Sequence, residues 1–351
     1  MNDTLCKRNY SLDITRIIAV LAVVMIHCSA SFVLEYKVFS NEFIYGNLFD
    51  SISRIGVPLF LMISGALFLD ERKEITLKNI LSKNVKNLAI ITIAWAVIYS
   101  AAYNVILPIL FNSTINVNNI VQDIINDHYH MWYLYMIMGL YIATPFLKKF
   151  VCEKNKGMVL FFIFISLCFQ FLTPVINAVS KLGLNLSFIS EWTDKFHLDF
   201  FGGYTTYFIV GWYIVNVGIK QKWKRVIIYL LGIISVAAII LYVHFTGDYT
   251  DVYQELGIPV FIYSVSLFLA INNISFNLKE NVAKKIVGLS KLTFGVYIIH
   301  VMVLYIFSNL LPYSKYSGIY IVVLFVSVTV VSFLVSYIIS KIPILKKLIK
   351  A

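Results

Sequence analysis

The chain has 351 residues, 60% of them hydrophobic and only 13% charged, with a mean hydropathy of +0.81. A soluble domain is about half apolar and a quarter charged, so this excess excludes one water-soluble core and points to a polytopic membrane protein. The formal net charge of +11 does not indicate a nucleic-acid surface, because the basic residues sit in short connections between apolar runs, the pattern that orients a membrane protein.

A hydrocarbon core about 30 Å thick needs about 20 apolar residues per helix. Ten runs qualify in chain order, at 13–34, 48–69, 87–111, 131–147, 157–178, 201–219, 226–245, 257–277, 292–311 and 318–340. The first run is followed by Glu35 and has no small-residue cleavage site, so it reads as a retained span. Lysine and arginine alternate regularly along the connections. Lys7 and Arg8 precede span 1, Lys83 and Lys86 follow span 2, Lys148 and Lys149 follow span 4, Lys224 and Arg225 follow span 6, Lys284, Lys285 and Lys291 follow span 8, and Lys341, Lys346, Lys347 and Lys350 follow span 10. The intervening connections hold only Lys37, Lys181, Lys195 and Lys315. The expected architecture is therefore an all-α polytopic bundle of about ten transmembrane helices, with both termini cytoplasmic. One transmembrane domain is expected over 1–351, with no appended soluble domain, in a bacterial plasma membrane. Cys28 and Cys168 lie within apolar runs, and Cys6 and Cys152 fall on the cytoplasmic side. No disulfide framework is expected.

Ionisable side chains within a span are costly and mark pathways, partners or chemistry. Span 1 contains DITRIIAVLAVVMIH, residues 13–27. Arg16 and His27 are 11 positions apart, about 16 Å along a helix and on the same face. Asp13 stands one turn before Arg16 and can orient it by an i, i+3 ion pair. One face thus offers a cation near the cytoplasm and a titratable base further in. The competing reading is that Arg16 only snorkels and His27 only packs. Span 2 contains SRIGVPLFLMISG, residues 53–65. Arg54 lies near its outer end, Gly56 and Pro58 should kink it, and Ser64 and Gly65 permit close helix contact. An interfacial arginine with packing glycines is the alternative. HYHMWYL, residues 128–134, enters span 4 from outside. Trp132 and Tyr133 suit an aromatic belt, whereas His128 and His130 are less ordinary there. FGVYIIH, residues 294–300, puts His300 in the middle of span 9. Histidines without nearby cysteine or carboxylate make a poor metal set, so no metal is expected. His244 and His197 read as interfacial and loop residues.

Together these four segments resemble the membrane acyltransferase-3 family, integral enzymes that modify cell-surface sugars. An Arg, ten residues and a His in the first span are matched by Arg16 and His27, with Asp13 before them. The second-span pattern is matched by Gly56, Val57, Phe60, Ser64 and Gly65. His130, Trp132, Tyr133 and Leu134 match a His-x-Trp-Tyr-Leu pattern, and Tyr297 and His300 match a late Tyr…His pattern. One departure occurs where many members carry an Arg-x-x-Arg pair followed by proline. Here the stretch is KNVKNLAI, with Lys83 and Lys86, which lack the bidentate guanidinium fork.

The resemblance implies an O-acyltransferase, expected to be an O-acetyltransferase with acetyl-CoA as cytoplasmic donor. Arg16, Lys83 and Lys86 would attract the donor phosphates. His27 would act as general base or accept the acyl group transiently, supported by Arg16 and Asp13. A glycan or lipid-linked sugar hydroxyl would enter near Arg54, His130, Trp132, Tyr297 and His300. The lipid bilayer is the remaining partner, and no nucleic acid is expected. Two other readings are a transporter of a small polar solute and an exporter of a glycan intermediate. A transporter is expected to show paired broken helices in related halves, and no such repeat is visible.

Overall fold

The computed structural model describes residues 8–126, 128–181, 188–189, 195, 202–311 and 317–350. Cys6, Lys7, His197, Lys315 and most of the connection at 179–200 lie outside the described residues. Among the described residues, all regular structure is helical.

Asn9 starts α1 (Tyr10–Glu35), its side-chain oxygen accepting the Ser11 N–H at 3.0 Å. Ser40 starts α2 (Asn41–Ser53) in the same way, accepting from the Phe43 N–H at 3.1 Å. Such caps satisfy orphan donors at a helix start. α2 and α3 (Gly56–Phe68) form one apolar unit interrupted at Arg54 and Ile55. Pro58 is the cause, since it has no N–H to offer the Arg54 carbonyl. α4 (Leu77–Leu110) contains π-helical turns at Ile80–Val85 and Ala102–Ile106. Then follow α5 (Ile120–Asn126), α6 (Trp132–Leu147), α7 (Lys156–Lys181) and α8 (Tyr204–Trp212), which is extended by a π-helical turn over Tyr213–Val217. The chain continues through α9 (Lys222–Thr246), α10 (Ile258–Asn272), α11 (Glu280–Leu310) and α12 (Ser317–Lys341).

Each of the ten predicted runs carries a helix. Among the described residues, seven helical units are long and apolar enough to cross a membrane; α6, α8 and α10 are shorter. α2, α4 and α11 begin well before their apolar runs, because their first turns are polar or lysine-rich and extend past the apolar zone. At the lysine-rich side, Asp70 after α3 accepts Arg72 Nε and Nη2 at 2.9 Å each. The Arg72 guanidinium holds the Asp70 carboxyl below the usual carboxylate range.

α1 is the hub of the bundle and packs against α2, α3, α11 and α12. α9 and α12 are peripheral and present Ile233, Phe245, Val330 and Leu334 outward, as helices facing hydrocarbon must. α3 and α8 cross at backbone contact. A Cβ on Gly65 would collide with the Phe208 backbone, and one on Gly211 with the Met62 backbone. Small residues are what allow such an approach in a bilayer. Gly65→Val should therefore separate the two helices and abolish recovery of folded protein on detergent size-exclusion chromatography. Gly139→Val, with open space around its Cβ, should be recovered normally.

Candidate functional site

The local helical geometry of α1 sets the site. Arg16 lines a cavity shared with residues 285–297 of α11, and the His27 ring lies 5.0 Å from the His300 ring. Both side chains thus project from the face of α1 that packs on α11. Because the low-numbered ends of the two helices lie together, α1 and α11 run parallel.

The 3₁₀ turn Tyr129–Met131 leads into α6 and brings two more imidazoles to this pair. His130 is 5.6 Å from His300 between ring centroids, and His128 Nδ1 is 2.9 Å from His130 Nδ1. The turn is fixed from α11, where Tyr297 donates its hydroxyl hydrogen to the His130 carbonyl at 2.5 Å. From α4, the Tyr99 ring packs against His128 and His130 at 4.6 and 5.0 Å between centroids, while its hydroxyl donates to the Ile298 carbonyl of α11 at 2.6 Å. Tyr129 Oη lies 3.5 Å from His27 Nδ1.

The hydrogen-bond network assigns tautomers to the neutral rings. A carbonyl only accepts, so His300 Nδ1–H donates to the Tyr297 carbonyl at 2.6 Å. That leaves His300 Nε2 as a lone-pair acceptor, and it is buried with no hydrogen-bond partner among the described residues. His130 Nε2–H donates to the Ile298 carbonyl at 3.3 Å. His130 Nδ1 then accepts from His128 Nδ1–H. An orphaned acceptor in a buried site requires an explanation, and a hydroxyl donor would satisfy it.

A cavity of about 1180 Å³ opens from the lysine-rich side and contains Arg16. Its volume is somewhat above the range of about 300–1,000 Å³ usual for small-molecule sites. Phe60, Tyr133 and Tyr297 line it from α3, α6 and α11. Their rings lie 6.1 Å apart for Phe60–Tyr133 and 5.5 Å apart for Tyr133–Tyr297. Tyr297 precedes His300 by about one helical turn, so these rings separate the cavity from the imidazole cluster. A second cavity of about 190 Å³ is lined by Tyr99, Ser100, Tyr103, Asp123, His128 and Tyr129.

The remaining predicted residues take varied places. Asp13 is buried, but its main partner is Arg8, which donates from Nε at 2.7 Å and Nη2 at 2.8 Å. Arg16 Nη1 stands 3.9 Å from it. Arg54 forms an ion pair with buried Asp50, and its guanidinium lies over the Tyr253 ring at 4.1 Å. Tyr253 Oη in turn donates to Asn47 Oδ1 at 2.8 Å. Arg54 thus clamps α2 to the segment before α10, and it remains among the charged neighbours of His27. Trp132 is 38% exposed and its ring faces Tyr204 at 5.7 Å, outside the imidazole cluster. Lys83 and Lys86 are exposed and do not line the large cavity, whereas Asn84 between them does. The π-helical turn Ile80–Val85 carries that register. Sequence reasoning missed Arg8, Tyr99, Tyr129 and Asp123. In a chain with 23 tyrosines, no local signal marks the ones that matter. Among the described residues, no group of three or more His, Cys, Asp or Glu side chains is placed to hold a metal ion.

Comparison with known families gives a match to the Acyltransferase domain over residues 9–341. No match was found among curated proteins or among solved structures. The family match takes in α1 through α12, and with them the α1–α11 face and the turn at 129–131. The chain therefore belongs to the acyltransferase 3 family, which implies acyl transfer.

Proposed function

We propose that the protein transfers an acetyl group from cytoplasmic acetyl-CoA to a hydroxyl of an extracytoplasmic or lipid-linked glycan. One observation carries this reading. A deep cationic cavity from the lysine-rich side ends about one helical turn from a cluster of buried imidazoles. Arg16 suits a donor phosphate, and the thioester arm passes between Phe60, Tyr133 and Tyr297 to bring its carbonyl carbon to His27. The acceptor hydroxyl approaches from the opposite side, where the smaller cavity meets His128 and Tyr129.

In this mechanism His27 removes the proton from the acceptor hydroxyl as its oxygen attacks the thioester carbonyl carbon. The carbon–sulfur bond then breaks, and coenzyme A leaves as a thiolate that takes up a proton. Transient acylation of His27 is the two-step variant of the same chemistry. His300 Nε2 accepts from a neighbouring hydroxyl of the acceptor sugar and so orients the attacking one. Arg54, although paired with Asp50, would add positive potential for the tetrahedral oxyanion.

The test is O-acetylation of surface glycan in cells with and without the protein, alongside transfer of labelled acetyl from acetyl-CoA by purified protein. Label should appear as base-labile ester on glycan only when the protein is present. Solute uptake into liposomes with no acyl donor, in place of ester formation, would overturn the reading. Arg16→Ala should raise KM for acetyl-CoA about tenfold, the loss of one charge-assisted contact of about 1.5 kcal/mol. KM for the acceptor should change little. Steady-state kinetics with each substrate varied in turn makes the comparison.

A further inference from the structure

The large cavity has an unequal charge lining. Among the described residues it shows Arg16, Lys285, Lys291, Lys341, Lys346 and Lys350, and no carboxylate. The lysines come from two places in the chain, the first half of α11 and the end of α12 with the turn that follows it. Like charges gathered at one mouth repel one another and concentrate anions there.

The turn at Leu345–Ile349 is held in place over this mouth. Ile349 is only 4% exposed and belongs to the main apolar core. The Leu348 carbonyl accepts the indole N–H of Trp95 at 2.8 Å, which ties the turn to α4. A Cβ on Gly295 would meet Ile349 Cβ at 3.2 Å, so α11 leaves room for this side chain. Fixing a lysine-rich segment has an entropic cost, and here the fixed segment places Lys346 and Lys350 on the cavity rim.

We infer that Lys346 and Lys350, on the turn anchored by Trp95, grip the phosphates at the nucleotide end of the acyl donor, with Lys285 and Lys291 facing them. This rests on the reading that the donor is a coenzyme A thioester. Lysine binds phosphate as a point charge and needs no bidentate geometry. Lys83 and Lys86, the pair marked by the sequence pattern, are not on the rim. Trp95 is a positioning residue, since it acts through the Leu348 carbonyl. An anionic phospholipid headgroup offers the same phosphate chemistry, so the experiment must separate the two sources.

The experiment uses the full chain in nanodiscs of zwitterionic lipid, with acetyl-CoA and phosphate-free acetyl-pantetheine as alternative donors. The variants are Lys346→Ala/Lys350→Ala and Trp95→Phe, the latter keeping an aromatic ring and removing the N–H. The double variant should raise KM for acetyl-CoA at least about tenfold at unchanged kcat, and leave acetyl-pantetheine turnover unchanged. Trp95→Phe should raise the same KM several-fold and also spare acetyl-pantetheine. An unchanged KM for acetyl-CoA overturns the inference, as does an equal loss with both donors. It is also overturned if the double variant keeps its KM for acetyl-CoA and loses only the thermal stabilisation given by phosphatidylglycerol nanodiscs, since the rim then binds lipid. Absence of both turnover and coenzyme A binding in the unsubstituted protein would instead overturn the acyl-transfer reading.

Discussion

His27→Ala is expected to lower the rate of acyl transfer by about 10²–10⁴-fold, the usual contribution of a positioned general base, and to leave the yield of folded protein unchanged. His27 is half-buried, and among the described residues its one hydrogen-bond contact is the long one to Tyr129. Truncation therefore strands little polar surface and opens toward a region that is already polar. Single-turnover measurement with labelled acetyl-CoA reads the chemical step directly, and detergent size-exclusion chromatography reads folding. A His27→Ala protein that is folded and fully active would remove His27 from the chemistry. His300 would then be the surviving base, because its Nε2 already lacks a partner.

Asp50→Ala is expected to cost about 3–5 kcal/mol, the cost of removing one partner of a buried ion pair. Asp50 is completely buried, and the side chain of Arg54 is only 17% exposed. Truncating the acid leaves the guanidinium, among the described residues, with the Tyr253 ring and the Tyr253 carbonyl at 3.4 Å as its remaining partners. The measured result should be a large fall in thermal midpoint or complete loss of folded protein. Asp50→Leu/Arg54→Met removes both charges and should recover much of that stability, since a buried pair replaced by apolar groups is often neutral. If the recovered double variant is also inactive, Arg54 serves the reaction as well as the fold. If it is active, the pair is structural.

The all-helical, polytopic architecture was legible from hydropathy, because the length of an apolar run is a local property of the chain. The shared face of Arg16 and His27 was legible too, since helical geometry alone carries it. The meeting of His27 with His300 was not, because it depends on α1 packing parallel to α11, far away in sequence. Asp13 was read with one of its two partners, since the i, i+3 ion pair with Arg16 is present at 3.9 Å. Its stripe on α1 pointed to Arg16, whereas Arg8, just before the helix, reaches back to make the shorter bonds. Lys83 and Lys86 were marked by the resemblance; in the structure both are exposed, and Asn84 between them lines the cavity. The lysines at 341–350 looked like topology markers alone. Only the Trp95 contact shows them folded over a cavity mouth.

The three-ring wall of Phe60, Tyr133 and Tyr297 has an electrical consequence. A wide aqueous vestibule on one face of a bilayer would dissipate the ion gradient if it continued through to the other. Apolar and phenolic rings packed across its inner end act as an insulating septum. A closed layer of rings there would hold ions back, and a donor's thioester arm would have to part the rings to reach His27. A cell can keep such a protein in its energised membrane without short-circuiting it.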